Sequence, residues 1–461
     1  MSPKKVLRRV PLALALVIFA SLGLAILAHH VVAEPTRPSS TQGIRWVVQD
    51  NTIFGDRIDM VSADDGWILK LNRSKEAHLY RWNGDRWSFF STLPHTQIIR
   101  SGDISMVSPS DGWVVLGGPL SSLLGGPPGE SIIYHWDGNK WSYFDTISIP
   151  PEDISLATVK MISTSDGWAT GSFLWGNFYY HWNGTSWENV KKIFKDYDKR
   201  DLDMFSPSIG WAVGDGISHW NGSDWLIIPS PVDRILRSVS MVSENDGWIV
   251  GGGYNQACVI LHWDGVEWAE QVCPIESGLM AVDMVSVDDG WAVGEYGTIL
   301  HWDGISWSKI PYPTPPTDQP ILAIDMVSST RGWFTGLAGG TYSYEVVPEL
   351  TSNSADGSPG SFFTLTGSDY PANKVATVNV NGQDLGTVIT DEAGRFSLIL
   401  STANADEGIY ITTVSVNPAA TTQFILDAGA PLRPQEGEAT EISVPAGIAL
   451  TEQLFLPNIS R

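Results

Sequence analysis

Residues 283–310 read DMVSVDDGWAVGEYGTILHWDGISWSKI, and two boxes within them decide the fold. The first, Met-Val-Ser-x-x-Asp-Gly-Trp, alternates apolar and polar residues on both sides of a tight turn, as two short antiparallel strands require. The second, His-Trp-Asp-Gly-x-x-Trp, repeats that arrangement around Asp303 and Gly304. Each box is a hairpin, so the stretch supplies four consecutive antiparallel strands.

Variants of the first box place a tryptophan at seven positions: Trp67, Trp113, Trp168, Trp211, Trp248, Trp291 and Trp333. Their separations of 37 to 55 residues suit a four-stranded unit and are too long for leucine-rich repeats. The second box occurs only six times, with paired tryptophans at 82/87, 136/141, 182/187, 220/225, 263/268 and 302/307. The seventh unit has enough sequence for three strands. Its missing strand lies at the other end of the chain, where Gly43-Ile44-Arg45-Trp46 has the Gly-x-x-Trp spacing. A ring that borrows its last outer strand from the N-terminus leaves no open sheet edge. The chain therefore reads as all-β, with a seven-bladed β-propeller over 43–346 and the seven first-box tryptophans as structural repeat residues. Twenty of the 21 tryptophans fall at repeat positions; Trp175 does not.

Spacing also sorts the two faces of the disc. The turns inside the two boxes never change length, whereas the distance between the boxes varies from 9 to 23 residues and the connection to the next blade varies too. In a four-stranded blade the two invariant turns emerge on one face and the two variable connections on the other. Binding loops are expected on the variable face, chiefly at 117–131, 148–157, the basic stretch 191–200 and 311–320.

The N-terminus has a basic head followed by 19 uncharged residues, Val10 to Ala28, which marks an export element over 1–33. A Val-x-Ala pattern offers a signal cleavage site after Ala33; retention as a membrane anchor is the alternative, and 34–42 is a linker. Both place the rest of the chain outside the cell or in the envelope. Four of the 28 Lys and Arg and none of the 51 Asp and Glu precede residue 34, which leaves −27 on the exported part. That charge excludes nucleic acid as a partner and confines membrane contact to the N-terminal segment. Cys258 and Cys273, the only cysteines, stand where an exported chain can join them. Pairing of Trp263 with Trp268 sets the cysteines opposite each other, while a two-residue loop at Asp264-Gly265 separates them.

The repeat, with Gly-Trp-Ala-Val-Gly, Gly297-Thr298 and Asp303-Gly304-x-x-Trp307, resembles the Asp-box repeat of sialidase-like propellers. It is most similar to seven-bladed propellers of the photosystem II assembly-factor type and their bacterial relatives. Here Asp or Asn abuts the glycine instead of preceding it by two. The resemblance to sialidases would add an arginine triad and an Arg-Ile-Pro box; no Arg-Ile-Pro occurs, and blades two to four hold only Arg200. A WD40 resemblance lacks its Gly-His partner. Downstream, short strand-like runs from 354 to 428 resemble a small Ig-like β-sandwich of the spacer or adhesive kind, and 429–461 reads as a tail.

Five histidines, His135, His181, His219, His262 and His301, precede the first tryptophan of a box. Spread around a ring they cannot converge on one metal ion, so strand packing accounts for them. The Asp-Gly pairs of the first box lack the several oxygens a calcium loop needs, and two units form the box without the acid, at Ile209 and Arg331. Turn chemistry explains them, with Asp bonding backbone N–H groups and Gly taking positive φ. No Gly-x-Ser-x-Gly or His-Glu-x-x-His motif occurs, so no catalytic, cofactor or metal residue is assigned. The leading expectation is a monomeric, exported binding scaffold for a protein or glycan. A carbohydrate-active hydrolase or lyase is the alternative, which three or more carboxylates and arginines at the central channel mouth would favour. An assembly factor for a membrane complex is the third reading and rests on resemblance alone.

Overall fold

The computed structural model describes residues 44–120, 128–148, 153–194, 198–253, 256–310, 319–337, 340–346, 348–370, 373–391, 394–416 and 419–450. The export element, the Ala33 site and the end of the tail lie outside them, as do parts of the four expected binding loops.

Seven four-stranded antiparallel sheets succeed one another along the chain. In blade 1, Arg57–Ser62, Asp65–Leu71, Glu76–Trp82 and Trp87–Pro94 lie side by side in chain order, and blades 2 to 6 repeat that order. Blade 7 takes Ile321–Ser328, Arg331–Gly336 and Thr341–Val346 and is completed by Ile44–Asp50 from the N-terminal side. Trp46 there pairs with Tyr344, as Trp87 pairs with Trp82 in blade 1. The ring is closed as the sequence predicts.

The tryptophans hold neighbouring blades together. Each first-box tryptophan is at most 2% exposed and packs on the first aromatic of the next blade's outer hairpin. Trp67 meets Trp136, Trp113 meets Trp182, and so on round to Trp291 with Tyr344 and Trp333 with Trp82, at ring separations of 4.5 to 6.0 Å. Each such aromatic pair adds about 0.5–1.5 kcal/mol beyond its buried area. The outer-hairpin tryptophan also ties its own blade: Trp82 Nε1 donates to the Ala63 carbonyl at 2.9 Å and Trp302 Nε1 to that of Val287 at 3.0 Å.

The turn chemistry expected of both boxes holds for the second only. Asn83 Oδ1 accepts N–H bonds from Asp85 and Arg86, Asp303 does the same for Ile305 and Ser306, and Gly304 sits at φ 86°. In the first box the serine makes the turn, as where Ser62 Oγ accepts from the Asp64 N–H at 3.2 Å. The acid faces the third strand instead. Asp111, Asp166, Asp246 and Asp289 pair with His135, His181, His262 and His301 at 2.7 to 3.1 Å, and Asp65 with Arg81. The glycine before the first-box tryptophan serves close packing and not positive φ: a Cβ on it would lie 2.0 to 2.3 Å from the methionine Sδ of the same box in all seven blades.

Beyond the propeller, two more sheets pack face to face as a β-sandwich. One runs Glu349–Ser352, Phe362–Ser368, Phe396–Ser401, Thr440–Ser443; the other holds Asp356–Gly357, Ala419–Leu426, Gly408–Ser415, Val375–Val380 and Gln383–Ile389. Phe363 of the first stacks on Phe424 of the second at 4.0 Å, inside one shared core. The expected tail is in part a strand of this core: Thr440–Ser443 pairs parallel with Phe396–Ser401. Alternation buries Ile442 and Val444 there, a two-residue period that the proline-rich residues before it disguised.

Candidate functional site

The first strands of all seven blades line a central channel that encloses a cavity of about 250 Å³. The residue before the methionine of each first box faces it: Asp59, Ser105, Lys160, Asp203, Ser240, Asp283 and Asp325. Six of these side chains accept a hydrogen bond from the methionine N–H of the next blade. Met106 donates to Asp59 at 2.9 Å, Met161 to Ser105 at 3.0 Å, Met241 to Asp203 at 2.8 Å, Met284 to Ser240 at 3.1 Å and Met326 to Asp283 at 2.6 Å. Met60 donates to Asp325 and closes the circle. Lys160 has no lone pair to offer; its ammonium pairs with Asp203 at 3.1 Å.

A second tier repeats the device nearer the variable face, from which the chain enters each first strand. Thr158 Oγ1 and the Val159 N–H donate to Asp103, the Val239 N–H to Asp201 and the Val282 N–H to Ser238. Arg57 lies 3.3 Å from Asp103.

Burial dominates the electrostatics. It pushes the Asp59 carboxyl up to about 8, with Asp325 adding repulsion, and Asp283 and Asp325 up to about 7, against the N–H bond that each accepts. Asp201 is raised to about 6 for the same reason. Asp203 in turn holds the Lys160 ammonium above the ordinary lysine value.

The channel mouth thus gathers Asp103, Asp201, Arg57, Arg200 and Arg237, the kind of cluster that would favour a hydrolase. Its groups already have work inside the fold. The carboxylates bolt one blade to the next, Arg200 pairs with Asp198, and Arg237 Nε donates to the Gly252 carbonyl at 2.9 Å. Sequence reasoning missed this column. Its signal was an Asp or Ser directly before the methionine in six of seven repeats.

On the variable face the one tryptophan outside the repeat stands out. Trp175 is 57% exposed, at the tip of blade 3 between Phe173 and Gly176, which pair across the turn. Gly176 pairs in turn with Phe194, itself exposed and 5.4 Å from Phe173. Of the described residues in the basic stretch beside them, Lys191 pairs with Asp224, and Lys199 Nζ donates to the Gly216 carbonyl.

Cys258 and Cys273 form a disulfide, with Cα atoms 6.2 Å apart. The Trp263–Trp268 register exists, but the ladder strand ends at Glu270, so the bridge fastens the connection to blade 6. No group of His, Cys, Asp or Glu among the described residues could hold a metal ion.

No family model and no curated protein matches the chain. Among solved structures it is similar to YCF48 bound to D1 peptide, at 18% identity and TM-score 0.50, over 68% of this chain and 97% of that one. YCF48 from Cyanidioschyzon merolae follows at 15% identity and TM-score 0.48, over 65% and 98%. The RRP9 WD40 repeats give 12% and 0.48, over 68% and 99%. At these identities the shared feature is the propeller fold.

Proposed function

We propose that this chain is an exported or cell-surface scaffold whose variable propeller face holds a segment of a partner protein, with the C-terminal sandwich as an Ig-like spacer. The carrying observation is Trp175. Twenty tryptophans are accounted for by the repeat, while this one stands exposed at the tip of blade 3, on the face where loop lengths vary, with the exposed Phe194 in the same blade. Burying an apolar side chain on folding is favourable, so an aromatic left in water gains most from a partner; tryptophan is also enriched among residues that dominate interfaces. YCF48, which shares the fold, carries a D1 peptide, and a peptide is the kind of partner proposed here. The basic head and uncharged run of residues 1–33 support an exported location for the scaffold, in the envelope or outside it.

Full-length chain, wild type and Trp175→Ala, immobilised and exposed to the solubilised native envelope fraction, tests this reading. A partner retained by the wild type and lost at least tenfold by the variant supports it. Equal recovery by both overturns the assignment.

A carbohydrate-active hydrolase has one observation in its favour, the carboxylates and arginines at the channel mouth. Their use as bolts between blades weighs against it. Turnover of a glycan that Asp59→Asn and Asp201→Asn abolish without loss of folding would reinstate it.

A further inference from the structure

Blades 1 and 2 fill the crevice to the next blade in the same way. In each, a one-residue bulge drops Phe90 or Phe144 out of the outer ladder, and a bulge re-aims the side chain it carries. Phe90 then lies 4.9 Å from Trp67 and 5.4 Å from Trp136; Phe144 lies 4.9 Å from Trp113 and 5.3 Å from Trp182. The outer ladder of blade 4 has no bulge. It runs unbroken from Trp220 and Trp225 to Ile217 and Ile228, so Ile228, which stands at the phenylalanine position, stays in the sheet. A cavity of about 450 Å³ remains between blades 4 and 5, walled by Trp211, Trp263, Trp268 and two prolines. Small-ligand sites span roughly 300–1,000 Å³.

Three polar side chains border this cavity: Ser230, whose hydroxyl donates to the Val232 carbonyl, His219 and Glu267. Where four other blades give this histidine an aspartate, blade 4 has Ile209. His219 stacks on Trp211 at 4.2 Å and makes no hydrogen bond among the described residues. The Glu267 carboxylate, exposed in the outer turn of blade 5, has no partner among them either. Indole faces beside a carboxylate attract a cation, and a chain of net charge −23 draws basic partners. Blade 1 shows what such a crevice accepts. Arg81, in the position of His219, lays its guanidinium 5.1 Å from Trp67 and 5.5 Å from Trp136, with Asp65 as counter-ion at 2.9 Å.

We propose that the crevice between blades 4 and 5 is a binding site for an arginine side chain of a partner protein, its guanidinium against Trp263 and its counter-ion Glu267. This crevice runs from the connection out of blade 4 to the invariant outer turn of blade 5 and does not include the Trp175 tip of blade 3, so either site can fail while the other stands.

Saturation-transfer NMR of the full chain with N-acetyl-arginine methylamide tests it, beside the uncharged citrulline analogue and methyl glucoside. The arginine probe is expected to bind, with the citrulline analogue and Glu267→Gln each weakening the contact about fivefold, the scale of a partly desolvated cation–π pair. Ile228→Phe, which supplies the side chain that fills blades 1 and 2, is expected to abolish it. Glu267→Gln, on an exposed turn, keeps the test decisive should Ile228→Phe unfold the blade. Equal binding of arginine and citrulline probes, no effect of Glu267→Gln, or binding of methyl glucoside in place of arginine would each overturn the proposal.

Discussion

The carboxylate of Asp325 accepts a hydrogen bond from the backbone N–H of Met60, 265 residues away, and so ties the last blade to the first. Together with the borrowed strand Ile44–Asp50, it makes the ring a closed object. Asp325→Ala leaves the Met60 N–H unsatisfied, which costs about 1–3 kcal/mol. Asp325→Asn keeps an acceptor and removes a buried charge, so its cost should be much smaller. Equilibrium urea unfolding distinguishes them; equal losses would deny the bond its role.

The two kinds of tryptophan should separate by stability. Trp248→Ala empties a site between blades 5 and 6, where the ring lies 4.6 Å from Trp302, and should cost about 3–5 kcal/mol. Trp175→Ala, exposed at a turn, should stay within about 0.5 kcal/mol. Comparable denaturation midpoints for the two variants would contradict the division between ring and surface.

Stability should rise as pH falls from 8 to about 6.5. Asp59, Asp283 and Asp325 have folded values of about 8, 7 and 7, above the ~3.9 of an unfolded aspartate, so in this window the folded state binds more protons. Below about 6.5 an opposing contribution enters, because burial holds His95 and His219 below the ordinary imidazole value and folding then resists their protonation. Thermal melts at intervals through the window measure the slope, and Asp59→Asn should flatten it. A slope of the opposite sign would refute the account of the channel.

The Cys258–Cys273 bridge spans 15 residues, a loop whose closure stabilises by about 3 kcal/mol in the chain-entropy description. Reduction, or the double change Cys258→Ser and Cys273→Ser, should lower the unfolding free energy by that order. An unchanged midpoint would leave the bridge without a stabilising role.

The blades were legible because their signal is local: two hairpins per repeat, each with its own turn residues, recurring seven times. The closing strand was legible by counting, since only Trp46 could stand opposite the seventh unit's unpaired strand. The acidic column was not. Asp59 and Met106 are 47 residues apart, and only the ring's geometry shows that one blade's carboxylate meets the next blade's backbone. The first-box acids were misread for a related reason, because their partners, such as His301 for Asp289, come from the adjacent strand and not from the turn. The crevice beside Ile228 depends on the absence of a bulge, which composition does not announce. Trp175 was visible as the exception to the count, although only its exposure gave that exception a meaning.

The central claim is that partners dock on the variable face. Site-specific photo-crosslinking in the native envelope tests it most directly, with the photoreactive residue at Trp175 on that face and at Ile305, 86% exposed in an invariant turn, on the other. The account predicts a cross-linked species of defined mass from position 175 and none from 305. Cross-links from 305 alone, or equally from both, would contradict it.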